Sequence, residues 1–595
     1  MASPQVLFYR ITLRRFFCAL LSVLSALVSL TDAQKAQPSN SIQKTYQRGL
    51  TALQRGDLST ARTAFEAVIN AAPNSPEGHN SLGWVLAAQG QLDEAIAHYQ
   101  TALKLRPAFV QAHINLANAL LKKGDGTAAL AEAQEAVKLE PANAEARRTL
   151  GRLLSVSAQT DKAIIELSKA VELDPRRWDL HDDLGSLFAQ QGKLDDAAKR
   201  FEEAIKLQPT AALAVLHLGV IRWRQKSTDE ALRLLSRACE LSPENAQAHF
   251  YLGLALSEQE KHTEAIEQFR IAAKLQPDFP DSSRQLGLSL QRTGDANGAV
   301  VAFRRVVELQ PENPDAHNNL GLALVQAGDA GSAVQEFEAA LRLRPEDSGY
   351  RGNLGVAYLQ RADFDAAIRE LRGALETAPN DATLHYNLGL ALKLKDQLQH
   401  AVPEFQKAAE LDPKQADIHY TLGVTLWQMG EFDKAAQELR QALQIHPDYA
   451  DAYYTLGTVY RQQNKLADAA AALREAIRLQ PDFAGAHTTL AAVLRAQGDN
   501  EGAAREAAAG QAISKERTAQ QAATFNTNSG IRMLNAGDLN SAIGQFRAAI
   551  KSSPTYAPAH YQLAIALERK GEKEEAKTEF DRAAQLDPNL KRPGS

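Results

Sequence analysis

Nine histidines are the side chains best suited to acid–base or metal chemistry: His79, His113, His181, His249, His317, His385, His419, His487 and His560. From His79 to His487 the intervals are all 34 residues or 68. A metal or catalytic centre needs two or three such rings within a few Å of one point. Histidines repeated on a fixed period would instead be one element apart, about 8–10 Å for packed helices. These rings are therefore expected to fill space and donate one local hydrogen bond, and no catalytic residue, metal or cofactor is expected. Cys18 and Cys239 have no plausible partner for a disulfide or a metal framework. Cys239 is expected in the core.

Two other sets of residues could bind rather than react. Asn115, Asn319, Asn353, Asn387 and Asn528 carry carboxamides that can donate and accept at once, as the backbone of an extended peptide requires. Tyr386, Tyr420 and Tyr454 recur at 34-residue intervals, with Trp427 close to the second. Aromatic rings on a groove wall are common anchors.

The element that positions them shows in the prolines. Pro73, Pro107, Pro141 and ten more to Pro481 follow one another every 34 residues. Placing this proline at position 32 starts the repeats at Ile42, Pro76, Val110 and onward to Ala484, with two more at Ala523 and Ala557. Position 20 is alanine in all sixteen repeats, position 8 is Gly or Ala, position 7 is leucine in fourteen, and position 24 is usually Phe or Leu. Small residues at positions 8 and 20 let two helices approach closely while the larger ones fill the remaining space. Glycine at position 15 (Gly56, Gly90, Gly192, Gly294, Gly430) ends the first helix with a left-handed residue, and the proline follows the second. Each repeat is predicted to be a helix, a short turn and a helix.

This pattern resembles the tetratricopeptide repeat (TPR), which "HNNLGLALVQAGDAGSAVQEFEAALRLRP" (His317 to Pro345) matches position by position. The resemblance implies an all-α, right-handed superhelical solenoid of about sixteen units whose first helices line a groove for peptides or proteins. "HNNLGLAL" and "HYNLGLAL" are also similar to the TPR region of O-linked N-acetylglucosamine transferases. That resemblance implies an asparagine ladder at position 6 that grips peptides. The ladder is incomplete, since Ser81, Thr149, Asp183, Thr421, Thr455 and Thr489 interrupt it. Polar groups facing water would give the same pattern. No nucleotide-sugar domain is expected beside the repeats, so an enzyme is not expected.

At about 100° per residue, positions 4, 7, 8 and 11 form one packing stripe, while positions 5, 6, 9, 12 and 13 face the groove. His317 (position 4) and Asn319 (position 6) should thus point in different directions. The position 5 tyrosines face the groove or pack on the neighbouring helix.

With 66 basic and 71 acidic residues spread evenly, the chain offers no basic stripe for nucleic acid. Arg10, Arg14 and Arg15 precede an apolar run from Phe16 to Leu30, followed by Thr31 and Ala33, as in an export signal cleaved after Ala33, the alternative being an uncleaved anchor, for which the run is short. Cys18 would leave with it, and membrane contact would be limited to this segment. The absence of an Asn-x-Ser/Thr sequon points to a bacterial exported protein, periplasmic or extracellular. The expected organisation is a signal at 1–33, a linker at 34–41, fourteen repeats at 42–517, an insertion at 518–522, two repeats at 523–590 and a tail at 591–595. Between Asn500 and Phe525 no proline interrupts good helix formers, so one long helix should cross the insertion. The function expected is a scaffold holding a protein or peptide in the groove. The alternative is a carbohydrate or envelope-polymer accessory that stacks sugars on the Tyr and Trp stripe.

Overall fold

A computed structural model describes residues 40–590; the expected signal, most of the linker and the tail lie outside them. The described residues form thirty-one helices and no strand, running from Asn40–Gln54 to Lys573–Leu586. The first helix begins at Asn40, two residues before the expected start of the first repeat. The number is odd because Asn500–Asn535, a continuous helix of 36 residues, serves as second helix of the fourteenth repeat and first helix of the fifteenth. None of the described helices is long and apolar enough to cross a membrane.

Small residues set the pairing within each repeat. All sixteen position 20 alanines are buried, none more than 2% exposed. A Cβ on the position 8 glycines would lie 2.6 Å from the ring of Phe65, Phe269, Phe337 or Phe405 at position 24, so these helices touch through bare backbone. A second small position joins successive repeats. The position 27 alanines Ala136, Ala204 and Ala549 pack on position 3 of the next repeat, Ala146, Ala214 and Ala559.

The turn between the two helices is the same everywhere. Position 15 has positive φ in all sixteen repeats, ten times as glycine. The other six are Ala158, Lys226, Glu260, Ala362, Asp396 and Asn464, with φ between 57° and 62°. These side chains are exposed, and it is the pairing of the helices before and after the turn that holds their backbone in a region that costs an L residue about 1–2 kcal/mol.

The chain forms two compact bodies, one ending at Gln310 and one starting at Pro311. Within the N-terminal body the first helices of successive repeats touch one another, as Pro76–Ala88 touches Val110–Lys123. The C-terminal body repeats this along Pro314–Gln326, Ser348–Gln360 and Ala382–Leu394, and along Ala416–Gln428, Ala450–Gln462 and Ala484–Gln497. First helices therefore lie side by side on one face of each body.

Candidate binding site on the first helices

The position 4 histidines are structural, and seven of the nine rings engage both nitrogens, the exceptions being His181, held through Nε2 alone, and His419, held through Nδ1 alone. His113 Nε2 lies 2.9 Å from the carbonyl of Pro107, and Nδ1 lies 2.6 Å from the carboxylate of Glu132 on the second helix. His317 repeats the arrangement with Pro311 and Glu336, His385 with Pro379 and Glu404, His487 with Pro481 and Glu506, and His560 with Pro554 and Glu579. Arg147 replaces histidine at position 4 and makes the same two contacts, Nε to the Pro141 carbonyl at 2.7 Å and Nη1 to Glu166 at 2.5 Å. The position calls for a group with two polar atoms that reach in both directions, clasping the loop before the repeat to its second helix. At His113 the hydrogen bond to Glu132 outweighs burial and raises the imidazole above its ordinary range. The missed signal was Glu at position 23, nineteen residues after each of these histidines.

Positions 5 and 6 form a second pattern that helix geometry within one repeat does not show. Position 6 of one repeat meets position 5 of the repeat before it. Asn115 Nδ2 donates to Asn80 Oδ1 at 2.9 Å, and Asn353 Nδ2 donates to Asn318 Oδ1 at 2.9 Å. The Tyr386 hydroxyl lies 3.2 Å from Thr421 Oγ1, and Tyr420 hydrogen-bonds Thr455. Arg148 Nε donates to Asp183 at 2.5 Å, and His217 Nδ1 lies 2.8 Å from Asp182, both of that pair buried. Burial works against the Arg148 charge, but Asp183, Asp179 and Glu145 together hold its proton more firmly than in water. The ladder of polar groups is thus in part a seam between repeats.

This seam divides the predicted binding residues. Asn115 and Asn353 spend donors on a neighbour, and Asn115 Oδ1 also accepts from Gln111. Asn319 and Asn387 are half-buried and have no side-chain partner among the described residues. For Asn387 the cause is visible: position 5 of the preceding repeat is Gly352, which has no side chain to offer. Tyr386 packs on Phe405, Tyr420 on Tyr449 and Tyr454 on Phe483, with ring centroids 5.8, 4.8 and 4.8 Å apart. Trp427 is half-buried against the same apolar cluster as Tyr386 and Tyr420. Each of the three tyrosines therefore has one side engaged by the protein and remains half-exposed. Cys239, expected in the core, is half-buried against it, and burial pushes its thiol up to about 12.

Sequence reasoning missed the cations of position 12. Lys393, Arg461 and Arg495 lie on first helices of the C-terminal body and have no side-chain partner among the described residues. Burial lowers the affinity of the Lys393 amine for its proton. No group of three or more His, Cys, Asp or Glu side chains with metal-binding geometry occurs among the described residues.

Paired helices repeated in register, with bare backbone contacts at positions 8 and 20 and variable polar residues on one face, define a helical-hairpin repeat protein of the kind that presents a binding surface. Family models described as "Tetratricopeptide repeat" match residues 46–75, 120–181, 183–246, 227–280, 284–348, 324–388, 420–482, 454–515 and 533–592, and one described as "TPR repeat" matches 83–124 and 394–430. The chain belongs to the tetratricopeptide repeat family. No curated protein matches it. Among solved structures it is similar to the APC/C hetero-tetramer Cut9-Hcn1, with 16% identity, a TM-score of 0.35, and coverage of 76% of this chain and 96% of that one. It is also similar to yeast Tom70, with 17% identity, a TM-score of 0.31 and coverage of 72% and 97%. MamA aligns at 25% identity with a TM-score of 0.27, covering 28% of this chain and 96% of its own.

Proposed function

We propose that this chain is a non-enzymatic scaffold of the exported or periplasmic space that holds a peptide segment or partner protein along its first-helix face. The observation that carries the reading is the pair of unengaged carboxamides, Asn319 and Asn387, two repeats apart on that face of the C-terminal body. A half-buried carboxamide whose donor and acceptor are both free matches the N–H and C=O of an extended peptide. Neighbouring first helices are about 8–10 Å apart, and an extended chain advances about 3.3 Å per residue. Adjacent repeats would therefore meet every third residue of the partner. The export pattern around Arg10 to Ala33 supports the proposed compartment.

The test is capture of unstructured peptides from a displayed library by the full chain. Asn387→Ala and Asn319→Ala should each reduce capture severalfold. Retention by both variants equal to the unmutated chain would refute the reading. Glycan capture that is lost in Tyr420→Ala and Trp427→Ala while peptide capture is unchanged would assign the face to carbohydrate instead.

A further inference from the structure

We infer that the segment bound by the C-terminal body is acidic, read by the unpaired cations of position 12 on either side of Trp427. The inference rests on the peptide reading of this face and names the partner's chemistry.

Position 12 of four successive repeats holds Lys393, Trp427, Arg461 and Arg495. Their helices are neighbours in sequence order: Tyr386 and Thr421 join Ala382–Leu394 to Ala416–Gln428, and Ala416–Gln428, Ala450–Gln462 and Ala484–Gln497 touch in succession. Position 12 shares the stripe of positions 5 and 9, so the four side chains form one row. Its surroundings are apolar: Leu390 is half-buried on the same cluster as Trp427, and Leu394 is 57% exposed. Most of the anions nearest this end of the helices are already taken. Asp365 is paired with Lys395, Glu431 with Lys434, and Asp433 lies 4.0 Å from Lys465 and accepts from Gln463. The turn residue Asp396 follows the helix end. Asp417 and Asp451 sit at position 2, ten residues earlier on their helices, and are about 15 Å away along the axis. Asp417 is engaged by the Tyr449 hydroxyl at 2.9 Å.

A half-buried ammonium with no counter-ion is costly unless a carboxylate arrives. Lys393 has lost hydration without gaining a partner, and its lowered proton affinity reflects that burial. Bound carboxylates would restore it. With about three partner residues per repeat, the row fits a segment of about ten residues with acidic side chains at its first, seventh and tenth positions and an apolar one at its fourth.

The test uses four fluorescein-labelled ten-residue peptides on a Gly/Ser background: Asp at 1, 7 and 10 with Leu at 4; the same with Asn for Asp; the same with Lys for Asp; and the Asp peptide with Ser for Leu. Anisotropy titrations with the full chain should show the Asp peptide binding at least tenfold tighter than the Asn peptide, with the difference shrinking as salt rises. The Lys peptide should be weakest. Lys393→Gln and Arg461→Gln should each weaken the Asp peptide about fivefold, while Lys199→Gln in the N-terminal body leaves it unchanged. Helical content by circular dichroism checks that the variants are folded. Equal binding of Asp and Asn peptides, both weakened by Asn387→Ala, would overturn the acidic assignment and leave the peptide reading standing. Failure of every peptide to bind would overturn the proposed motif, while library capture decides the broader reading. Tighter binding of a labelled oligothymidine, with the same dependence on Lys393 and Arg461, would replace the acidic segment by nucleic acid.

Discussion

The contact between Gly321 and Phe337 can be tested with numbers taken from the structure. A Cβ on Gly321 would lie 2.6 Å from Cε1 of Phe337 and 2.8 Å from Cδ1 and Cζ, and that ring is fully buried. Gly321→Ala therefore overpacks the pair, at about 1–3 kcal/mol. The same change removes a glycine from a helix interior, which gains about 1 kcal/mol. The net for the single variant is a loss of about 0–2 kcal/mol. Ala564 faces Phe580, 3% exposed, so a shifted ring can tolerate the methyl and the low end applies. The coupling is more informative. Phe337→Ala should cost about 3–5 kcal/mol, and in that background Gly321→Ala should stabilise by about 1 kcal/mol, because the obstacle is gone. Two repeats already carry this double state, with Ala117 facing Ala133 and Ala491 facing Ala507. A double-mutant cycle should thus give about 1–3 kcal/mol of coupling. A repeat array need not unfold in one step, so local opening free energies from hydrogen exchange of Pro314–Leu343 in the full chain are the appropriate measure. A coupling below about 0.5 kcal/mol would show that the ring is not what keeps position 8 small.

Two further outcomes follow from repeat geometry. Ala158→Gly and Ala362→Gly should each stabilise their repeats by about 0.5–1 kcal/mol, since relief of the left-handed strain exceeds the gain in unfolded-chain entropy; Asn464→Gly should change little. Denaturant midpoints or local exchange would show this, and destabilisation by Ala158→Gly would contradict it. The His113 clasp should also give a pH dependence of definite sign. Its folded pKa lies above the unfolded value, so its contribution is complete below about pH 6.5 and is lost as pH rises through the folded value. Exchange of Val110–Leu139 from pH 5 to 8.5 should accelerate beyond the intrinsic pH effect in the unmutated chain, and His113→Gln should abolish that extra slope.

The scaffold of each repeat was legible because its rules are local and recur. Proline at position 32, alanine at 20, and glycine or alanine at 8 appear at fixed intervals, and the two helical periods follow from them. The long helix across Asn500–Asn535 was legible for a related reason: no helix-breaking proline stands in its path. Positive φ at position 15 was only partly legible, since six non-glycine residues adopt it under packing pressure that no local rule records.

The candidate site was legible only as a set of positions. A helical wheel shows that Asn115, Asn353 and Asn387 share a face, and treats them alike. The structure separates them because the partner of each carboxamide is a residue 35 positions away in the preceding repeat, Asn80 for Asn115 and Asn318 for Asn353. Asn387 faces Gly352 in that place and keeps its amide free. Likewise the sequence suggested one local hydrogen bond for each position 4 histidine, while the structure ties His113 both to a proline carbonyl six residues earlier and to Glu132 nineteen residues later. By itself the sequence determined the repeat, its helices and which residues could meet a partner. Only tertiary structure decided which of them remain available, because hydrogen bonds between stacked repeats consume one residue and spare its counterpart according to what the adjacent repeat presents.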